Sequence, residues 1–439
     1  MMDSMSSFLI KNVTVVSAEG HDLMDVYVRD GRVFFEGDAE EEIDGTGKYL
    51  LPGAIDVHVH FRDPGAPHKE TFQTGEQAAL WGGITRVVDM PNNNPPVVDR
   101  ASLVSKIRRI GGTTIHSHFY MGGTYDAATG KTNIDEYLAS DAVALKVYMG
   151  SSTGSLLVDD EAALNEIFEK AAQADRLVCV HAEDELLMTE HEERIKQEHG
   201  GVLPDDPTIH PEIRDDEVAY RAVRRALHLA KKYGTRLHIC HVSTAKELEE
   251  IREFKQGDNE GRISCEVTPH HLFATQKELA LQGNLARMNP PLRKKADSDA
   301  LMEGLRDGTV DIVATDHAPH TLEEKNVPYA DAPSGVPGVE TMLPLLLDAV
   351  NHGQLTLEDV VRVTCVNPSR VFRLGAPTRV ESGGLADLVL VDMDRVQVVE
   401  NGGAGALKTK VGWSLFTGRE LRGWPIMTIV DGQVVVRMI

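Results

Sequence analysis

At 439 residues the chain is too long for one minimal domain and long enough for a (β/α)8 barrel of about 250 residues plus a smaller module. Apolar residues at 41% and charged residues at 26% are ordinary globular values, and no run approaches the roughly 20 apolar residues that cross a bilayer, which sets aside a membrane protein. A net charge of −23 opposes nucleic-acid phosphates and anionic lipid as main partners, yet leaves room for one local cationic pocket holding a small carboxylate.

The first residues, MMDSMSSFLIKN, carry neither a basic n-region nor a long apolar stretch, so a soluble, cytoplasmic protein without a secretory signal is expected. Residues 7–50 then read as short strands and turns, with Asp30-Gly31 a hairpin signal between alternating segments. From Leu51 to Arg373 the pattern becomes apolar runs separated by helical segments. Eight runs qualify as strands: AIDVHVHF, ITRVVDM, TIHSHFY, AVALKVYM, LVCVHA, RLHICHV, RISCEVT and VDIVATDHA. The intervening KETFQTGEQAALWGG, DDEAALNEIFEKAAQADR and DDEVAYRAVRRALHLAKKYG have helical spacing or composition, the last ending in a Gly suited to a C-cap. Eight strands with helices between them predict an α/β fold closed into a (β/α)8 barrel. The last fifty residues return to β-rich runs with a second hairpin signal at Asp431-Gly432. Neither end has enough strands for its own sheet, so the termini are expected to pair into one small β-sandwich. The predicted division is 1–51 and 374–439 for the two halves of that module, with the barrel over 52–373.

Several of these strands end in polar residues that a purely structural strand does not need. A barrel brings such ends to one mouth. His58 and His60 lie two apart on the first strand and share a face, so both imidazoles can point inward to one metal. An HxH pair alone carries little, because strand histidines often only hydrogen-bond. His181 follows LVCV, His241 follows RLHIC, Asp316 follows DIVAT, and Lys146 sits within ALKVYM among apolar neighbours. A buried Lys is costly unless paired or neutralised; the plain alternative is an ion pair with an acid at the barrel mouth. Each position has a bland reading singly, but five strands sharing the feature at the end where barrels place catalysis point to a site. His238, a rival to His241, and Cys179, on the face of His181, are assigned to packing. The four cysteines, Cys179, Cys240, Cys265 and Cys365, lie in or beside apolar stretches without CxxC spacing, and are read as reduced core thiols.

The ordered motifs DVHVHFRDPG from Asp56, DMPNNNPP from Asp89, LKVYMGSSTG from Leu145, VHAED from Val180, CHVST from Cys240, VTPHHL from Val267, RMNPPLR from Arg287, ATDHAPH from Ala314, SGVPGVET from Ser334 and GGLADLVLVD from Gly383 resemble the amidohydrolase superfamily and, within it, the dihydroorotases. That resemblance implies two divalent ions, zinc by preference, with His58, His60 and Asp316 on one, His181 and His241 on the other, and Lys146, carboxylated by CO2, on both. It further implies reversible hydrolysis of (S)-dihydroorotate to N-carbamoyl-L-aspartate in pyrimidine synthesis by a metal-bridging hydroxide, with Asp316 as general acid/base. Some dihydroorotases use an aspartate as the bridging ligand instead. Arg62, two residues beyond the HxH pair, has a planar fork that can hold the substrate carboxylate, although a surface pair with Asp63 is the ordinary alternative. The resemblance adds Asn92 and His320 beside it, with Asn289 and the Ser334-Gly335 backbone near the ring. Thr153, in the Gly/Ser-rich GSSTGS segment, belongs either to a loop closing over substrate or to a plain connection. Competing functions are a hydantoinase, dihydropyrimidinase or allantoinase and, in another class, a non-catalytic scaffold of the same fold. The partner is a small molecule, and a homodimer or homotetramer is the expected assembly.

Overall fold

The computed structural model describes residues 7–151, 156–257, 261–401 and 407–438; Thr153 lies outside them. Eight parallel strands, Ala54–Val59, Ile84–Asp89, His116–Gly122, Ala144–Tyr148, Leu177–His181, Arg236–Ile239, Ile263–Val267 and Ile312–Val313, pair in chain order. They fall within, or overlap, the eight predicted runs. Closure comes from beyond the last strand: Val59 forms a parallel bridge with His317, and the His60 N–H donates to the His317 carbonyl at 2.8 Å. Six of the strands are buried at every residue, as a sheet covered on both faces requires.

The helices follow their sequence signals. Phe72–Trp81, Glu161–Gln173 and Asp216–Tyr233 occupy the three predicted segments. In the last, Asp215 caps the start by accepting from the Val218 N–H, and residues such as Val218, Ala222, Val223 and Leu227 recur at helical spacing on the buried face. Gly234 ends it at φ 73°, where a side chain would be strained. Among the described residues no helix is long and apolar enough to cross a membrane.

The two chain ends form a separate eight-stranded sheet in the order Gln433–Arg437, Glu420–Val430, Leu388–Val398, Tyr49–Pro52, Ser7–Val16, His21–Arg29, Arg32–Phe34, with Glu41–Asp44 also on Ser7–Val16. The join between the ends is antiparallel, Leu388 opposite Pro52. Its core mixes Phe8, Ile10 and Val26 with Leu388, Ile426 and Ile429. Both predicted hairpin turns are present, with φ 50° and 76° at Asp30 and Gly31 and 48° and 76° at Asp431 and Gly432. The turns also touch each other: a Cβ on Gly432 would lie 2.7 Å from the Gly31 Cα. Asp387 ties this sheet to the barrel, lying 3.1 Å from His116 Nε2 and accepting from Arg86 at 3.5 Å. Residues 407–416 leave the sheet and reach the barrel mouth, where the Trp413 indole N–H donates to the His320 carbonyl at 2.8 Å.

One buried carboxylate locks the first strand to the last. Asp56 Oδ1 accepts from the His58 N–H at 3.1 Å and the Thr315 N–H at 3.0 Å, and Oδ2 accepts from the Thr315 hydroxyl at 2.5 Å. Replacing Asp56→Ala leaves those donors buried without a partner, so it should destabilise the fold by about 2 kcal/mol or more in urea unfolding. An unchanged midpoint would contradict this account of barrel closure.

Candidate metal centre and substrate pocket

His58 and His60 lie two residues apart where the first strand ends, and their ring centroids are 5.4 Å apart. His58 Nε2 is 3.2 Å and His60 Nε2 2.9 Å from the same oxygen, Asp316 Oδ1. The three ligand atoms lie within 4.8 Å of one another. A second group of the same compactness is His58, Cys240 and Glu266. Beside the first trio, His181 Nδ1 faces His241 Nε2 at 3.0 Å, and His241 Nδ1 is buried with no hydrogen-bond partner among the described residues.

Outer partners decide which nitrogen each ring turns inward. His58 Nδ1 is bonded to Glu266, whose other oxygen is 3.0 Å from His238 Nε2. His238 is thus fully buried as a brace, with its Nδ1 2.9 Å from Ser264 Oγ. His60 Nδ1 is 2.7 Å from Asn92 Oδ1, and His181 Nε2 is 2.8 Å from Glu183, which Arg214 also holds. Burial alone would push the Asp316 carboxyl up, but His58, His60 and His241 outweigh it and hold the group well below the usual carboxylate range. Burial lowers His60 to about 4 in spite of Asp316. Three residues here take left-handed backbone, Arg62 at φ 59°, His241 at 36° and Asp316 at 47°. Such strain in non-Gly residues clusters at functional sites.

Lys146 is 1% exposed, and its amine is 2.9 Å from Cys240 Sγ. Among the described residues it forms no ion pair with a carboxylate, so the plain alternative of a pair at the barrel mouth is not realised. Arg62 does not pair with Asp63 either, because Asp63 is taken by Arg109 at 2.8 Å. Instead Arg62 is buried, its Nε donating to the Pro319 carbonyl at 3.3 Å and its Nη2 lying 3.1 Å from His320 Nε2.

One pocket is lined by His58, His60, Arg62, Asn92, Lys146, His181, His241, Asn289, Asp316, Ser334 and Gly335, together with Tyr148 and Ala318. His320 stands just behind Arg62, its Nε2 3.1 Å from the Ser334 carbonyl. Sequence reasoning did not single out Tyr148, Cys240, Glu266, Glu183 or Arg214. Glu266 carried the same signal as Lys146, a charged residue inside a buried strand, and Tyr148 shares the Lys146 face two residues on.

The donor set fits divalent metal ions: imidazole nitrogens and a carboxylate oxygen converge in a buried place, and the orphaned His241 nitrogen marks an unfinished hydrogen-bond account. The family model described as amidohydrolase family matches residues 49–435. The chain belongs to the amidohydrolase family. Its similar sequences include the dihydroorotases of Pyrococcus abyssi, 39% identical over 93% of this chain and 90% of that protein, and of Methanosarcina acetivorans, 37% identical over 92% and 85%. The dihydroorotase of Listeria monocytogenes is 33% identical over 98% of both chains. Among solved structures, an L-hydantoinase from Arthrobacter aurescens superposes with a TM-score of 0.91 at 28% identity, covering 98% of this chain and 96% of that one. A dihydropyrimidinase from Brevibacillus agri gives 0.87 at 25% identity, covering 98% and 95%. Within the amidohydrolase family, then, the chain belongs with the dihydroorotases by sequence and shares its architecture with hydantoinases.

The bracing carboxylate gives a direct test of the metal centre. Glu266→Gln should lower affinity for a divalent ion about 10- to 100-fold in chelator competition, because His58 loses the partner that orients it. Wild-type affinity in that variant would remove Glu266 from the support of the site.

Proposed function

We propose that this amidohydrolase is a dihydroorotase, interconverting (S)-dihydroorotate and N-carbamoyl-L-aspartate in pyrimidine synthesis. The observation that carries the reading is Arg62, a buried guanidinium on the pocket wall that no carboxylate of the described residues neutralises. A substrate carboxylate completes that charge, and neutral hydantoins have none to offer. The dihydroorotase relatives, at 33–39% identity, stand nearer in sequence than the two hydantoinase-type structures at 25–28%.

In this reading His58, His60, Lys146, His181, His241 and Asp316 would together hold two divalent ions. Zinc suits these donors. A pair of divalent ions lowers the pKa of bound water and polarises a carbonyl. Lys146 would serve as a ligand once its ammonium gives up a proton and the neutral amine adds to CO2: an N–C bond forms as one C–O π bond opens to a carboxylate oxygen, a second proton leaves the nitrogen, and the former cation becomes an anionic carbamate. Asp316 accepts the proton of the attacking water and delivers it to the ring nitrogen as the C–N bond breaks, with ring closure the reverse. Arg62, Asn92 and His320 bind the substrate carboxylate, while Asn289 and the Ser334-Gly335 backbone face the ring.

Dihydroorotate assayed beside hydantoin, dihydrouracil and allantoin should be the preferred substrate, and preference for an uncharged ring would overturn this assignment. Lys146→Ala should abolish activity, with partial recovery on adding a short carboxylate; full activity without it would make Lys146 structural. Arg62→Met should raise KM for dihydroorotate roughly 10- to 100-fold with bound metal retained, the loss of a charge-assisted contact. An unchanged KM would take Arg62 out of the substrate site.

A further inference from the structure

Asn289 lines the pocket, and its carboxamide is not free to turn. One terminal atom of that amide is 2.8 Å from His210 Nε2, and the same nitrogen is 3.1 Å from the Met288 carbonyl oxygen. A carbonyl oxygen only accepts, so His210 Nε2 carries the proton, and the amide atom that it meets must be Oδ1. The other ring nitrogen, Nδ1, is 2.9 Å from the Tyr329 hydroxyl and accepts from it. Burial, with Arg287 and Arg214 close by, holds this imidazole well below its ordinary pKa, so it stays neutral with a single N–H.

Both members of this relay are fixed. His210 is 1% and Tyr329 3% exposed. The Tyr329 N–H donates to Asp205 at 2.7 Å, and the Arg287 guanidinium lies 4.2 Å from the centre of the Tyr329 ring. The backbone that carries Asn289 is pinned from the other side by Lys325, whose ammonium donates to the carbonyls of Arg287, Pro333 and Gly335, each at 3.0 Å. Three acceptors use all three of its protons.

We propose that His210, held by Tyr329, is a positioning residue that fixes Asn289 with its Nδ2 hydrogens toward the substrate. At that position Asn289 therefore presents donor hydrogens, its own acceptor oxygen being taken by His210. It selects a ring with a carbonyl or carboxylate oxygen there and disfavours one with an N–H. The inference rests on the cyclic-amide reading of the pocket. Its test is accordingly run on whichever cyclic amide the wild-type holoenzyme turns over, so that a wrong substrate and a wrong relay give different results.

His210→Leu should raise KM about 10-fold, the loss of roughly one hydrogen bond, with kcat changed less than about threefold and metal content intact. Asn289→Ala should do the same, and adding His210→Leu to it should change nothing more, since His210 acts only through Asn289. His210→Gln, whose amide N–H can reach Oδ1, should restore most of the KM. Should His210→Leu fail to fold, Tyr329→Phe keeps the ring packing, and its KM should rise only when Asn289 is present. The proposal is overturned if the His210 or Tyr329 effect persists undiminished in the Asn289→Ala background, if kcat falls while KM stays constant, or if Tyr329→Phe leaves KM unchanged.

Discussion

An imidazole offers a lone pair to a cation through one nitrogen, and the partner of the other nitrogen decides which. The barrel mouth is built on that constraint. Glu266, Asn92 and Glu183 each engage one nitrogen of His58, His60 and His181, which leaves the opposite nitrogen facing the interior of the site. The anchoring acids are anchored in turn, Glu266 by His238 and Glu183 by Arg214. A buried carboxylate with no such partners would cost several kcal/mol. Here the acids, their partners and the inner donors form one network in which each group justifies the burial of the next.

Backbone geometry serves the same end. Arg62, His241 and Asp316 follow the ends of three different strands, and each takes a positive φ that turns its side chain off the strand direction. Strain of this kind costs about 1 kcal/mol or more per residue and persists only where the surroundings enforce it. Asp56 with Thr315, and the His60 to His317 bond, supply that enforcement beside Asp316. The terminal sheet braces the opposite side through Asp387, while Trp413 sends one bond back to the mouth at His320. The chain ends thus support the barrel on two sides, which explains why residues 407–416 leave their own sheet.

What could be read from the sequence was whatever is local or periodic. The eight barrel strands, the two Asp-Gly turns and the Gly234 cap are each set by neighbours a few residues away, and all appear where the pattern put them. His58 and His60 were legible because a strand repeats every two residues, and Lys146 because a charge inside an apolar run is conspicuous. The supporting groups were not legible. Glu266 meets His58 across 208 positions, and His210 meets Asn289 across 79. No local rule links residues so far apart. His238 was assigned to packing because the strand end favoured His241 as the ligand, and in the folded chain that packing is a hydrogen-bonded brace.

The net charge of −23 makes the recognition problem sharp, since an anionic substrate must approach a strongly acidic surface. The local arrangement reverses the sign. Arg62 lines the pocket, Lys69 is 3.0 Å from His320 Nδ1 just behind it, and Lys325 lies buried among backbone carbonyls beside Gly335. Lys69 is balanced by Glu324 at 3.2 Å, whereas Arg62 and Lys325 form no ion pair among the described residues. A buried guanidinium on the pocket wall with no ion pair of its own holds its field close, because little water is there to screen it. A carboxylated ring gains from that field and an uncharged one does not. In the proposed reading, the charge behind the pocket therefore favours a ring that carries a carboxylate, on a barrel whose architecture this chain shares with hydantoinases.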